Sequence, residues 1–278
     1  MLISTAHLSA QLSDPHWLVF DCRHDLADPG KGERLYRESH LPGASFAPVD
    51  TALSGAKTGT NGRHPLPAPE AFAEFLARHG ATATTYLVAY DDAGGMYAAR
   101  LWWLARWIGL TRVAVLDGGW NKWIAEGRAV TNDTPAERPR GQILPRPDPG
   151  RLASADEILA HLDTGSRLVV DARAPERYRG DVEPIDKVAG HIPGAANRFY
   201  KTNLNTDHTL RPAADLRREF EVLLAGRPPA ALIHQCGSGI TACANLLAME
   251  HAGLTGSRRY AGSWSEWIAD PARPVAKG

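Results

Sequence analysis

The stretch Ala231-Leu232-Ile233-His234-Gln235-Cys236-Gly237-Ser238-Gly239-Ile240-Thr241 decides how this chain is read. A short apolar run ends at Gln235, a cysteine follows, and glycines flank Ser238, where a bend needs positive φ or close backbone approach. From Thr241 the pattern turns helical, with Ala244, Leu247, Ala248 and His251 at three- and four-residue spacings. Strand, tight loop and helix in that order place Cys236 at the mouth of a cup of converging N–H groups backed by a helix N-terminus. Such a cup favours negative charge, and so suits a thiolate nucleophile or the anionic outer sulfur of a persulfide. The competing reading is a buried structural cysteine before a glycine turn.

The chain carries an internal repeat. Leu18-Val19-Phe20-Asp21-Cys22-Arg23 returns as Leu168-Val169-Val170-Asp171-Ala172-Arg173, and His40-Leu41-Pro42-Gly43-Ala44 as His191-Ile192-Pro193-Gly194-Ala195. Gly118-Gly119-Trp120 with Trp123 returns as Gly262-Ser263-Trp264 with Trp267. Two copies of one domain follow. Between them Pro135, Pro139, Pro145, Pro147 and Pro149 suit an extended linker. The expected organisation is a domain over 1–134, a linker over 135–150 and a second domain over 151–278.

Within each copy short apolar runs alternate with amphipathic patterns. Strands are expected at Leu18–Asp21, Tyr86–Tyr90 and Val113–Leu116, with helices at Glu70–His79 and Tyr97–Trp107. The second copy repeats this with strands at Leu168–Asp171, Ala231–Gln235 and Arg258–Tyr260 and helices at Asp156–His161, Ala214–Leu224 and Thr241–His251. The fold class is α/β, each domain a mostly parallel sheet flanked by helices. Ligands bind such sheets at the carboxyl ends of strands, where Cys236 lies.

Composition narrows the function. Lys plus Arg and Asp plus Glu both number 31 in 278 residues, so no overall field recruits nucleic acid or an anionic membrane. No apolar stretch approaches spanning length, and Met1 to Trp17 lacks the basic head and apolar core of a signal peptide. A cytoplasmic enzyme is the expectation. Cys22, Cys236 and Cys243 are too few and too scattered for a disulfide framework or zinc cluster. Cys22 and Cys243 read as small packing residues.

Aligning the two copies through their Gly-x-Trp segments sets Asp92 opposite Cys236 and Gly94-Gly95 opposite Ser238-Gly239. Aspartate cannot carry sulfur, so the first copy is expected to be chemically silent. Residues present in both copies, such as His40 and His191, Asp21 and Asp171, Trp120 and Trp264, are then structural. Arg177 differs between copies and follows the first strand of the second. Its planar guanidinium suits a carboxylate or sulfonate through parallel hydrogen bonds.

The run Cys236-Gly237-Ser238-Gly239-Ile240-Thr241 resembles the active-site loop of the 3-mercaptopyruvate sulfurtransferases within the rhodanese family. Rhodaneses that use thiosulfate usually carry basic residues in this loop, and here there are none. The resemblance covers nearly the whole chain. It implies tandem rhodanese-like domains, Cys236 as nucleophile in the 236–241 loop, and Arg177 as the substrate-binding arginine. His64, by itself a loop histidine, takes the position of a histidine that aligns with an aspartate, here Asp50, on the loop serine Ser238 as a proton relay. The family's second arginine has no counterpart, since Asp186 stands there, with Lys187 beside it as a substitute positive charge.

The expected reaction is a ping-pong transfer of a sulfane sulfur from 3-mercaptopyruvate through a Cys236 persulfide to a thiophile such as cyanide, a small thiol or thioredoxin, with no metal or organic cofactor. Thiosulfate as donor, or a non-catalytic persulfide carrier or thiol sensor, are the alternatives. A tyrosine-phosphatase reading requires arginine six positions after the cysteine, where this chain has Ala242.

Overall fold

The computed structural model describes residues 1–162 and 164–278. Two compact units divide the chain, and the division does not follow sequence order throughout. The first comprises Met1–Gly55, Pro67–Asp148 and Asn205–Leu210; the second comprises Ala56–Leu66, Pro149–Leu204 and Arg211–Gly278. The segment carrying Arg63 and His64 therefore belongs to the second unit. No helix among the described residues is long and apolar enough to cross a membrane.

The first sheet contains β1 (Leu2–Ile3), β2 (Trp17–Asp21), β3 (Ser45–Phe46), β4 (Tyr86–Tyr90) and β5 (Val113–Leu116) in the order β1-β5-β4-β2-β3. The second contains β6 (Leu152–Ala153), β7 (Leu168–Asp171), β8 (Ala196–Asn197), β9 (Leu232–Gln235) and β10 (Arg258–Tyr260) in the matching order β6-β10-β9-β7-β8. All pairings are parallel. Helices α1 (Thr5–Gln11), α2 (Lys31–Glu38), α3 (Pro69–Arg78), α4 (Met96–Trp107) and α5 (Gly119–Ala125) accompany the first sheet. Helices α6 (Ala155–Ala160), α7 (Pro175–Arg179), α8 (Ala213–Leu224), α9 (Ala242–His251) and α10 (Ser263–Trp267) accompany the second. The central strands are buried along almost their whole length, which is why they read as continuous apolar runs rather than alternating ones. The four two-residue strands are too short to show any period in sequence.

One core gathers Val19, Val88, Ala114, Leu41 and Trp123, and the other Val169, Ile233, Tyr260, Ile192 and Trp267. The residues common to both copies are indeed framework. Arg23 grips Asp21 at 2.7 Å and lies 4.1 Å over the Trp120 ring; Arg173 grips Asp171 at 2.7 Å and lies 4.8 Å over Trp264. His40 and His191 stack on Tyr36 and Tyr178 with centroids 4.1 and 3.9 Å apart, each with Nδ1 bonded to that tyrosine's carbonyl.

Strand register corrects one alignment. Asp21 pairs with Tyr90 and Asp171 with Gln235, so the residue after each strand is Asp91 in the first copy and Cys236 in the second. The hydrogen bonds agree: Trp120 N donates to Asp91 O and Trp264 N to Cys236 O, both at 2.9 Å. Counted from the helix side, Gly95 still matches Gly239, so the first copy's loop is one residue longer. An alignment anchored on the Gly-x-Trp turns carries that insertion across the loop and lands on Asp92.

Candidate active site

Cys236 leaves the end of β9 only 2% exposed. Its backbone is fixed on both sides: its N–H donates to Ser263 Oγ at 3.2 Å, and its carbonyl accepts from Trp264 N. Ser265 N holds the Gly237 carbonyl at 2.9 Å. The loop then turns at Gly239, whose φ of +84° and close neighbours admit only glycine, since a Cβ would stand 2.4 Å from the Ala261 carbonyl oxygen. That turn aims Gly239 N–H at the Cys236 sulfur, 3.0 Å away. Ile240 is buried, and Thr241 precedes the first turn of α9.

The first copy shows what such a cup binds. Asp91 is 1% exposed, and its carboxylate accepts N–H groups from Ala93, Gly95, Tyr97 and Ala98, each at 2.8 Å. Burial pushes the Asp91 carboxyl above its ordinary range while these amides pull it back. The counterparts of Gly95, Tyr97 and Ala98 are Gly239, Thr241 and Ala242. The same loop and helix end, carrying a sulfur in place of the carboxylate, is thus a backbone site for an anion held by the cysteine.

Ser238 Oγ lies 2.8 Å from His64 Nδ1, and both side chains are buried. The segment carrying His64 is tied down by Arg63 N donating to Ser265 Oγ at 3.0 Å. Asp50, the third expected member of the relay, belongs to the first unit, where His24 Nε2 is 3.9 Å from its carboxylate.

Two guanidinium groups flank the loop. A Cβ on Gly237 would meet Arg63 Nη2 at 2.9 Å and Arg177 Nη2 at 3.5 Å. Arg177 follows from the α7 turn after β7, as its sequence position suggested; Arg63 was not singled out in the sequence. Lys187, expected as the substitute cation, is exposed, and the second positive charge beside the loop is Arg63. The one clue to Arg63 in sequence is its adjacency to His64. Burial lowers the Arg63 pKa, partly opposed by its interaction with Cys236. Behind the arginines stand two buried carboxylates. Glu183 accepts from Arg177 at 2.6 Å and from Arg173 at 3.2 Å, and Asp186 bridges Arg63 and Arg177.

The other thiols are packing groups. Burial, with Asp91 and Asp21 nearby, pushes the Cys22 thiol well above its ordinary pKa, and Cys243 Sγ donates to the Gly239 carbonyl at 3.6 Å.

The rhodanese-like domain model matches residues 4–126 and 154–270. A probable 3-mercaptopyruvate sulfurtransferase of Pseudomonas aeruginosa is 47% identical over 279 residues, covering 100% of this chain and 98% of the relative. A putative thiosulfate sulfurtransferase of Mycobacterium tuberculosis, SseB, is 34% identical over 296 residues, covering 100% of this chain and 97% of the relative. Among solved structures, 3-mercaptopyruvate sulfurtransferase from Leishmania major superposes with a TM-score of 0.85 at 28% identity, over 99% of this chain and 75% of that one. The repeated sheet topology, the cysteine loop and these similarities agree: the chain belongs to the rhodanese family, with one rhodanese-like domain in each half.

Proposed function

We propose that this chain is a sulfurtransferase that takes the thiol sulfur of 3-mercaptopyruvate, holds it as the sulfane sulfur of a persulfide on Cys236 and passes it to a thiophile. The observation that carries the choice of donor is the 2.8 Å contact between Ser238 and His64 beside the nucleophile. In the first half-reaction the Cys236 thiolate attacks the donor sulfur, a new S–S bond forms, and the C–S electron pair leaves as the enolate of pyruvate. That leaving group needs a hydrogen-bond donor at its oxygen and finally a proton, which a hydroxyl coupled to an imidazole can supply. Thiosulfate would release sulfite, which carries the electron pair without a proton and has no use for the relay. Arg63 Nη2 and Arg177 Nη1 make no hydrogen bond among the described residues, and both are placed to hold the donor carboxylate.

In the second half-reaction an acceptor thiolate or cyanide attacks the outer sulfur, the S–S bond breaks, and its electron pair restores the Cys236 thiolate. The N–H of Gly239, with its neighbours at the start of α9, stabilises sulfur anions in both halves. A dithiol protein such as thioredoxin fits as acceptor, because its second thiol can displace the transferred sulfur as sulfide. Three cysteines free of disulfides fit a reducing compartment such as the cytoplasm.

The test is steady-state kcat/KM for 3-mercaptopyruvate and for thiosulfate, with cyanide as acceptor, for wild type and Cys236→Ser. A preference for mercaptopyruvate of about tenfold or more, roughly 1.4 kcal/mol in the barrier, with an inactive variant, supports the reading. A preference for thiosulfate keeps the chemistry and overturns the donor. Activity surviving in Cys236→Ser overturns the mechanism.

A further inference from the structure

The two carboxylates behind the arginines have no part in that reaction, and they are not equivalent. Glu183 is built into its own loop: it accepts N–H groups from Ile185 at 3.1 Å and Asp186 at 3.0 Å as well as from Arg173 and Arg177. Among the described residues the Asp186 carboxylate has as its partners only the two site guanidiniums, Arg63 through Nη1 and Arg177 through Nη2 at 3.2 Å. Its side chain is 4% exposed, whereas those of Arg63 and Arg177 are 27% and 17% exposed. Arg63 thus turns Nη1 to Asp186 and Nη2 towards Gly237, whereas Arg177 meets both Asp186 and the Gly237 side with Nη2 and holds Nη1 3.7 Å from the Gly237 Cβ position. Arg173 adds nothing to the surplus, since Asp171 already holds it. Against the two positive charges stand two negative ones, Glu183 and Asp186.

We propose that Asp186 is a specificity-determining residue: by cancelling one of the charges of the Arg63–Arg177 pair, it sets the site for a singly charged donor head group and against a doubly charged one. The arginine forks still supply directed hydrogen bonds, which a monoanionic carboxylate uses as well as a dianion does. What a dianion loses is the excess field that would offset the desolvation and mutual repulsion of its second charge next to the Cys236 thiolate. A field acts in proportion to the charge it meets. Adding one positive charge to the site therefore changes the logarithm of affinity about twice as much for a dianion as for a monoanion at the same place.

This inference rests on the sulfurtransferase reading for its choice of donors, but not for its test. In Asp186→Asn, which keeps one acceptor oxygen for Arg63, thiosulfate kcat/KM is expected to rise about tenfold through KM, and mercaptopyruvate kcat/KM about threefold. Asp186→Glu keeps the charge and is expected to retain the wild-type donor ratio. The independent arm is calorimetric binding of sulfate, a dianion, and acetate, a monoanion, to Cys236→Ser with and without Asp186→Asn. Sulfate is expected to bind about tenfold tighter in the double variant and acetate about threefold. Neither ion transfers sulfur, so this arm reports on the site even if neither donor is turned over. Equal changes for dianion and monoanion, a loss for both, or a thiosulfate gain in Asp186→Glu would overturn the assignment.

Discussion

His64 Nδ1 stands 2.8 Å from Ser238 Oγ although 174 positions separate the two residues in the chain. Both residues are 4% exposed, so the contact is shielded from competing water. If this pair serves the departing enolate, Ser238→Ala and His64→Gln should each lower kcat with mercaptopyruvate by about 10²-fold or more. The double variant should be little worse than either single one, because the two groups act as a unit. With thiosulfate, whose leaving group takes no proton, the loss should stay under about tenfold. Single-turnover rates with both donors check this, and an equal loss for the two would remove the relay from the mechanism.

Two glycines of the loop separate folding from binding. At Gly239 an added Cβ meets the Ala261 carbonyl oxygen at 2.4 Å and Arg259 Nη2 at 2.6 Å, with φ at +84°. Gly239→Ala should cost about 1–3 kcal/mol of stability and abolish transfer, since the N–H that faces the sulfur must move. At Gly237 the nearest atom is Nη2 of Arg63, the far end of a flexible side chain, at 2.9 Å. Gly237→Ala should leave Tm within a few degrees of wild type and raise KM for the donor severalfold. Equal melting shifts for the two variants would contradict this division.

Much of this was legible in the sequence because its signals are local. Apolar runs buried on both faces, Pro-Gly turns and the cysteine followed by Gly-Ser-Gly each fix their own neighbourhood, and their repetition exposes the two copies. The tandem α/β architecture follows, as does Cys236 at a strand end. Arg63 is hidden because it meets the loop across the fold, and apart from its adjacency to His64 nothing in Gly62-Arg63-His64 distinguishes it from a solvated loop arginine. Lys187 stands out in sequence because adjacency to Asp186 along the chain is visible and spatial adjacency is not. Asp91 was displaced to Asp92 because a one-residue insertion inside a glycine loop leaves no mark on hydrophobic period. Strand register and the matching backbone hydrogen bonds reveal it.

Asp91 yields a prediction about the first copy. Four N–H groups converge on its carboxylate, those of Tyr97 and Ala98 in buried and those of Ala93 and Gly95 in part-buried hydrogen bonds. Asp91→Ala should destabilise the protein by about 3 kcal/mol or more, the desolvation cost of donors left without an acceptor. Asp91→Asn, which keeps one carbonyl oxygen, should cost less. Urea unfolding compares them, and an Asp91→Ala variant as stable as wild type would show that the cup does not need its anion.

Ser263 holds φ at +56° without being glycine, whereas its counterpart Gly119 has φ +55°. A left-handed serine is sparsely populated, at a cost of about 1 kcal/mol. The hydroxyl offsets it by accepting from Cys236 N at 3.2 Å while donating to the Tyr260 carbonyl at 3.0 Å. Ser263→Gly should therefore leave Tm nearly unchanged, as strain and hydrogen bond are lost together, while kcat falls severalfold because the nucleophile's backbone loses its acceptor. A fall in stability with kcat intact would make Ser263 a framework residue only.

His234 sits within β9, two residues before Cys236, and is fully buried. Nε2 lies 3.1 Å from Met249 Sδ and Nδ1 has no hydrogen-bond partner among the described residues. Burial pushes its pKa from 6.5 to about 3, so the folded protein keeps the ring neutral where the unfolded chain protonates it. Between those values the unfolded state binds more protons, and stability rises with pH. The contribution is complete above about 6.5 and is lost as pH falls towards about 3, by at most about 1.4 kcal/mol per pH unit. His234→Leu removes the titrating group from a site with no polar partner to strand. Its stability relative to wild type should therefore improve between pH 7 and pH 4.5 by roughly 2 kcal/mol. Thermal melts at the two pH values decide: Tm curves that converge or cross on acidification support the buried neutral imidazole, and parallel curves exclude it as a source of acid sensitivity.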